Sequence, residues 1–146
     1  MTDKAKLVCP HCGAINQFPV DRAGGRPNCG ECRGALMGGV PLAVDDAAFE
    51  RHLAHTTVPV LVDFWAPWCG PCLAFAPIFE RFAAQAEPGL RLLKLDTEAH
   101  PATAARFAIR SIPTLVLFQR GREQARVQGA LNEARLRSWV ERQLSP

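Results

Sequence analysis

The chain reads as an α/β domain with a mixed central sheet flanked by helices, preceded by a small four-cysteine module. Three features point there. From about Pro41 onward, apolar runs of strand length alternate with helical patterns, the rhythm of crossover units whose strands are covered on both faces. The last third holds a hairpin pattern and then a helix, which adds antiparallel pairing to the sheet. Four of the six cysteines lie in the first 32 residues as two Cys-x-x-Cys pairs, so this part has its own source of stability. The expected division is a ribbon over 1–36, a Gly/Pro hinge over 37–41 and the α/β domain over 42–146.

Each element has a local reason. Pro41–Val44 predicts a short strand, and Asp45 or Asp46 can cap a helix that turns Phe49 and Leu53 inward. Val58–Trp65 predicts a core strand. A helix from Cys69 towards Ala86 presents Phe75, Ile78, Phe79, Phe82 and Ala83 at helical spacing, and Pro77 inside it predicts a kink. Leu90–Leu95 is a further strand, and Pro101 at a first helical turn opens a helix through Ala108. Thr114–Phe118, a turn at Gly121 and Glu123–Gln128 predict the hairpin. Asn132 caps a last helix whose inward stripe is Leu136, Trp139, Val140 and Leu144.

The N-terminal pairs are Cys9-Pro-His-Cys12 and Cys29-Gly-Glu-Cys32, separated by 16 residues. That spacing suits two halves of a tetrahedral zinc site, and four thiolates leave no position open for substrate. Two disulfides are the rival, but they need an oxidising compartment. Met1–Val8 lacks the apolar core of a signal peptide, which gives a cytoplasmic expectation. His11 lies between two ligands and is expected to be a bystander. With Leu7, Val8, Ile15, Phe18, Val20 and Leu36 as the principal apolar residues, so small a segment should fold only with its metal. It is expected to be a zinc ribbon holding one structural Zn2+ on Cys9, Cys12, Cys29 and Cys32.

Composition narrows the function classes. The 146 residues are 48% hydrophobic and 21% charged, ordinary for a globular protein and unlike a disordered one. No apolar run is long enough to span a membrane. The formal charge of +3 falls to about +1 once four thiolates hold a dication. Within 1–36 the five basic groups Lys4, Lys6, Arg22, Arg26 and Arg33 meet three acidic ones, Asp3, Asp21 and Glu31, and the metal centre cancels the excess. With Phe18 as its only aromatic, the ribbon has neither a phosphate-binding field nor a stacking platform. Nucleic acid is not an expected partner.

Trp68-Cys69-Gly70-Pro71-Cys72 carries the chemistry. It follows the strand directly and begins the helix, so the first thiol meets unpaired backbone N–H groups and the positive end of the helix dipole. Both favour the thiolate, the nucleophilic form. A second thiol one turn on can displace whatever the first has attacked, so the implied chemistry is thiol–disulfide exchange. Cys69 is the candidate attacking thiol and Cys72 the buried resolving one. Asp63 is a carboxylate in a strand with no polar face; burial would raise its pKa and suit it to proton transfer with Cys72. Lys94 interrupts Leu92-Leu93 and Leu95 and on its own reads as a lysine whose stem lies along apolar surface. Trp65 is expected in the core, and Trp68, between Pro67 and Cys69, on a docking surface. Pro113 follows Ile112 at the mouth of a strand; the residues alone favour a trans bond.

The pentapeptide resembles the thioredoxin active site, and the family is the general example of this motif in a βα context. Val62-Asp-Phe-Trp-Ala66, Pro77, Ile112-Pro113-Thr114, Gly121 and Gly129 match as well. The resemblance spans Pro41 to Leu144, roughly seventy per cent of the chain, and with the ribbon the whole is similar to the zinc-binding kind of bacterial thioredoxin. It implies a thioredoxin fold and a redox-active Cys69–Cys72 disulfide. It also implies a proton-transfer role for Asp63, an approach of Lys94 to Asp63 that moderates its charge, and a cis bond before Pro113. Substrate docking would fall to Trp68, Gly70, Pro71, Ile112 and Gly129, with the Ile112 backbone free to pair with an extended segment. The implied activity is protein-disulfide reduction, with recycling by an NADPH-dependent thioredoxin reductase. Partners would be disulfide-containing proteins, and the expected state is a monomer. A dithiol oxidase or isomerase, and a non-enzymatic zinc-dependent redox-sensing module, are the alternatives. Leu73 stands where the family commonly has a basic residue.

Overall fold

The computed structural model describes residues 4–19 and 27–145. Val20, Arg22 and Arg26 from the ribbon's apolar and charge readings, with Asp3 and Asp21, lie outside the described residues. Strand β1 (Lys4–Val8) pairs antiparallel with β2 (Ile15–Pro19), with Val8 opposite Ile15. The connection between them is the first cysteine loop. Cys9 N–H donates to the Ala14 carbonyl and Gly13 N–H to the Cys9 carbonyl; Cys29 to Gly34 and Arg33 to Cys29 repeat the pattern. Each loop needs a left-handed residue four positions after its first cysteine. Gly13 supplies it at φ +77° and Arg33 at φ +70°, the latter against the steric preference of a side chain.

The main sheet has the order β3-β5-β4-β6-β7, formed by β3 (Leu42–Ala43), β4 (Val60–Trp65), β5 (Arg91–Asp96), β6 (Thr114–Gln119) and β7 (Arg122–Gln128). β3 and β4 flank β5 in parallel, while β6 runs antiparallel to both β4 and β7. The sheet is mixed, as expected. Helices α2 (Gly70–Ala86) and α4 (Glu133–Leu144) cover one face, with Leu61, Leu92, Leu115 and Leu117 meeting Phe75, Phe79, Phe82, Leu136, Trp139 and Val140. Helix α1 (Asp46–His55) covers the other, where Phe49 and Leu53 pack on Val60, Val62, Phe64, Leu93 and Leu95. The short α3 (Pro101–Arg106) precedes Phe107, which stacks edge-on to Phe49 and Phe118. Alternation along β4 puts Val62 and Phe64 towards α1, so Asp63 faces the α2 side.

Several boundaries differ from expectation. β3 is two residues long, and α3 stops at Arg106 because Ala108 turns left-handed at φ +53°. Pro77 lies inside α2 without ending it, although it deprives the Leu73 carbonyl of a helical donor. Asp45, not Asp46, is the cap of α1, accepting the Ala48 N–H at 2.7 Å. Asn132 caps α4 through the Arg135 N–H. Arg120 and Gly121 both have positive φ, the backbone that suits a two-residue hairpin turn between twisted strands.

The ribbon does not hang free of the sheet. Leu7, Cys9, Cys29, Leu36 and Met37 form a small core that also takes in Phe18 and, from the α/β part, Val58. Thr57 N–H donates to the Lys6 carbonyl at 3.1 Å, and Lys6 N–H returns a bond to Thr57 Oγ1. Arg91, at the start of β5, is fully buried and donates to the carbonyls of Val8 and Leu36. Glu87 pairs with Arg91 and accepts the Gly39 N–H at 2.7 Å. The stretch 37–41, expected as a hinge, is therefore tied down: Met37 is in the ribbon's core and Gly39 is held by Glu87. The physical reason is that a buried Arg–Glu pair needs its remaining donors and acceptors satisfied, and this segment satisfies one.

Candidate functional site

The end of β4 delivers the dithiol. After Trp65 the chain turns through Ala66, whose carbonyl accepts the Cys69 N–H at 3.2 Å. Cys69 then occupies the N-cap of α2 with extended φ and ψ, and its Sγ accepts the Cys72 N–H at 3.2 Å. Pro71, in the first turn, needs no donor there. Cys69 and Cys72 form a disulfide with Cα atoms 5.2 Å apart. Both sulfurs are buried with Ala66, and Trp65 and Ile112 pack against them. Trp65 is thus half-buried beside the dithiol and outside the main core, which corrects the core assignment. Trp68 is 69% exposed.

The loop before β6 closes over the pair. The Ile112 carbonyl oxygen is 3.8 Å from Cys69 Sγ, and the Ile112–Pro113 bond is cis. Gly129, at φ +97°, donates its N–H to the Pro113 carbonyl at 2.8 Å. The structure therefore brings Pro113, Ile112 and Gly129 to the dithiol end of the sheet.

Asp63 is 1% exposed, and its Oδ1 has no hydrogen-bond partner. Burial pushes its carboxyl up to about 7, with Lys94 pulling the other way. Strand register explains that pull: Asp63 of β4 is paired with Lys94 of β5, so both side chains leave the same face of the sheet. Lys94 Nζ sits 4.5 Å from the centroid of the Trp65 ring, a cation–π contact that steadies a half-buried ammonium. A carboxyl poised near neutrality can take and return a proton at working pH.

The second cluster is the ribbon's. The four Sγ atoms of Cys9, Cys12, Cys29 and Cys32 lie within 4.8 Å of one another, with Cys9–Cys32 and Cys12–Cys29 at 3.6 Å. A tetrahedron with zinc–sulfur bonds of about 2.3 Å has edges of about 3.8 Å, so the set fits that ion. Backbone N–H groups of His11, Glu31 and Gly34 and the Asn16 amide aim at these sulfurs at 3.4 Å, the donor shell thiolate ligands require. Cys29 is lowered to about 6, first by the Cys32 N–H and then by Asn16. Cys12 is pushed up to about 12: the Ala14 N–H lowers it, but burial and the neighbouring sulfurs outweigh that. The Cys29 thiolate forms easily while Cys12 and Cys32 resist, and a dication would favour ionisation of the set. His11 turns its Nε2 to the Ala35 carbonyl at 3.1 Å, which suits a bystander. Its ring also explains Gly34, where an added Cβ would meet His11 Cδ2 at 2.5 Å.

Sequence reasoning missed Arg91, Glu87 and His52 at the junction of the two parts. His52 is buried with Nδ1 unpartnered, and burial, then the nearby Arg91 and Arg51, lowers it to about 4. Arg91 carried the same signal as Lys94, a charge in an apolar strand, and Glu87 stands four residues before it.

A capped dithiol at a helix start, with a near-neutral carboxyl on the adjoining strand, defines a thiol–disulfide oxidoreductase. Comparison with known proteins agrees. Residues 40–142 match the thioredoxin family model, and residues 8–34 match that of the thioredoxin 2 N-terminal zinc ribbon. Thioredoxin C-3 of Corynebacterium nephridii is 43% identical over 138 residues, 94% of each chain. Thioredoxin 1 of Synechococcus elongatus is 40% identical over 72% of this chain and 98% of its own. The thioredoxin of Acidithiobacillus ferridurans is 45% identical over 70% of this chain and 95% of its own. The chain belongs to the thioredoxin family, and its N-terminal part matches the zinc ribbon of thioredoxin 2. It is a thioredoxin-type disulfide oxidoreductase.

Proposed function

We propose that the protein is a cytoplasmic protein-disulfide reductase, recycled by an NADPH-dependent thioredoxin reductase. The carrying observation is the Cys72 N–H directed at Cys69 Sγ at the start of α2, which favours the thiolate in the reduced form. The Cys69 thiolate attacks one sulfur of a substrate disulfide, forms a mixed disulfide and expels the other sulfur as a thiolate. Cys72 gives its proton to the Asp63 carboxylate and attacks Cys69 Sγ, releasing the second substrate thiolate and leaving the Cys69–Cys72 disulfide. The substrate gains two electrons and the protein loses two; protons from Asp63 and solvent neutralise the substrate thiolates.

Cys9, Cys12, Cys29 and Cys32 would hold one structural Zn2+, which ties both cysteine loops into one unit. Lys94 moderates the charge on Asp63. Pro113, Ile112, Gly129, Gly70, Pro71 and Trp68 frame the substrate segment. No helix among the described residues is long and apolar enough to cross a membrane. The test is NADPH consumption by the protein with a thioredoxin reductase and a disulfide protein. Turnover that needs all three components is expected. A protein whose disulfide is reduced by dithiol substrates but never by the reductase would point to an oxidase or isomerase.

A further inference from the structure

Leu73 is the residue of α2 that follows the dithiol, and it is 54% exposed. Its N–H bonds the Cys69 carbonyl at 3.1 Å, so it stands one helical turn above Cys69 on the same side. The Cα–Cβ bonds of a helix tilt towards its N-terminus, and a side chain therefore covers the turn before its own Cα. The leucine thus lies over the turn that Cys69 begins. Trp68, at 69% exposure, lies on the other side of Cys69 in the chain. Between them the ground is open: a Cβ built on Gly70 meets nothing within 4 Å. From Ala66 to Phe79 the chain has no ionisable side chain except the two cysteines. The other large exposed apolar residues among the described ones, Ile15 and Val40, belong to the ribbon and the connecting segment. Two of the four such residues therefore flank Cys69, which must meet a substrate: Trp68 precedes it in the chain and Leu73 follows one helical turn on.

Resting on the reductase reading, we infer that Leu73 is a specificity-determining residue. With Trp68 it forms an apolar bracket around Cys69 and selects disulfides whose attacked cysteine is flanked by an apolar side chain. The occupant is an extended segment of a disulfide-bearing protein, because the surface is continuous with the dithiol on which that segment must land. Burying an apolar flank against Leu73 removes two apolar surfaces from water, whereas a polar flank gains nothing from an end of α2 that offers no charged or polar partner.

The test uses the full-length protein and two oxidised peptides of identical length, one with Leu and one with Ser beside the attacked cysteine. The measured quantity is the ratio of their kcat/KM values. The wild type is expected to favour the Leu peptide by about tenfold, the scale of a modest apolar contact. Leu73→Ser should bring the ratio to within about twofold of unity, while Leu73→Ile should keep most of the preference. Val40→Ser removes an equally exposed apolar side chain away from the dithiol and should leave both rates as they were. Equal rates for the two peptides with the wild type, or an undiminished preference in Leu73→Ser, overturn the inference and leave the reductase reading standing. A wild type that reduces neither peptide, nor any disulfide protein, overturns both.

Discussion

Nη2 of Arg91 lies 2.5 Å from the carbonyl oxygen of Leu36. The first side chain of the strand that carries Lys94 thus reaches into the ribbon, because the same guanidinium also donates to the Val8 carbonyl next to Cys9, the first of the four clustered cysteines. Glu87 neutralises it and holds Gly39. The two parts of the chain share one buried polar junction.

Breaking that junction should be costly. Arg91→Ala strands Glu87 and two carbonyls, and is expected to lower stability by about 3–5 kcal/mol, as for other broken buried pairs. Arg91→Met, which fills the space without the charge, should lose less. Urea denaturation of the metal-loaded protein measures both. Equal losses would show that the ion pair and its hydrogen bonds, and not packing, set the junction's stability.

Asp63 should make stability fall with rising pH. Its folded pKa of about 7 exceeds an unfolded value of about 3.9, so the folded state binds the extra proton between those limits. Stability from this group is present below about pH 4 and is lost as pH rises through about 7. Asp63→Asn should therefore stabilise the protein at pH 8 by up to about 4 kcal/mol and slow disulfide turnover with an altered profile between about pH 6 and 9. Unchanged turnover profiles would confine Asp63 to a structural role.

His52 acts in the opposite sense. Its folded pKa of about 4 lies below an unfolded value of about 6.5, so the unfolded state takes the proton first as pH falls. Its contribution is present above about 6.5 and is lost towards pH 4. His52→Leu should flatten the acid limb by about 3 kcal/mol, exposing the contrary slope of Asp63. Denaturation midpoints at several pH values check it.

The thiols divide their labour in a testable way. Cys72→Ser should accumulate mixed disulfides between Cys69 and substrates, since attack proceeds without resolution. Cys69→Ser should abolish reduction and trap nothing. Mass spectrometry of the adducts decides the assignment, and adducts on Cys69→Ser would reverse it.

Metal removal separates the two parts. Chelation should unfold the ribbon, whose core is five buried side chains and their neighbours. The α/β part should stay folded, for Arg91 and Glu87 then meet water and are not left buried without partners. The Synechococcus relative supports this, since 72% of this chain covers 98% of it. Circular dichroism, zinc content and reductase assays on full-length protein and on a version starting near Met37 provide the comparison. Loss of nearly all activity in the shortened, folded version would place the ribbon within the active site.

Much of the architecture was legible because its signals are local. Asn132, Pro101, Gly121 and the alternating cores of β4 and β6 mark their elements through caps, turns and periodicity. The cysteine spacings marked both clusters for the same reason. The junction was not legible, because Arg91, Glu87 and His52 acquire their meaning only when residues more than thirty positions apart in sequence are packed together. Trp65 was misplaced for a related reason. An aromatic at the end of a core strand reads as interior, yet it lies at the sheet's open end against the disulfide and under Lys94.

The bond from the Cys72 N–H to Cys69 Sγ makes the atom proposed to attack also the cap of α2. In the disulfide that cap is a neutral sulfur, a weak acceptor; in the reduced protein it becomes an anion at the positive end of a helix dipole. Electron transfer is therefore a change in how well a helix begins. Phe75, Phe79 and Phe82 of that helix fill the core, so a better start to α2 stabilises the reduced form and weakens it as a reductant, while the disulfide's constraint on the unfolded chain acts the other way. Its reducing strength therefore depends on the first turn of α2 as well as on the sulfurs.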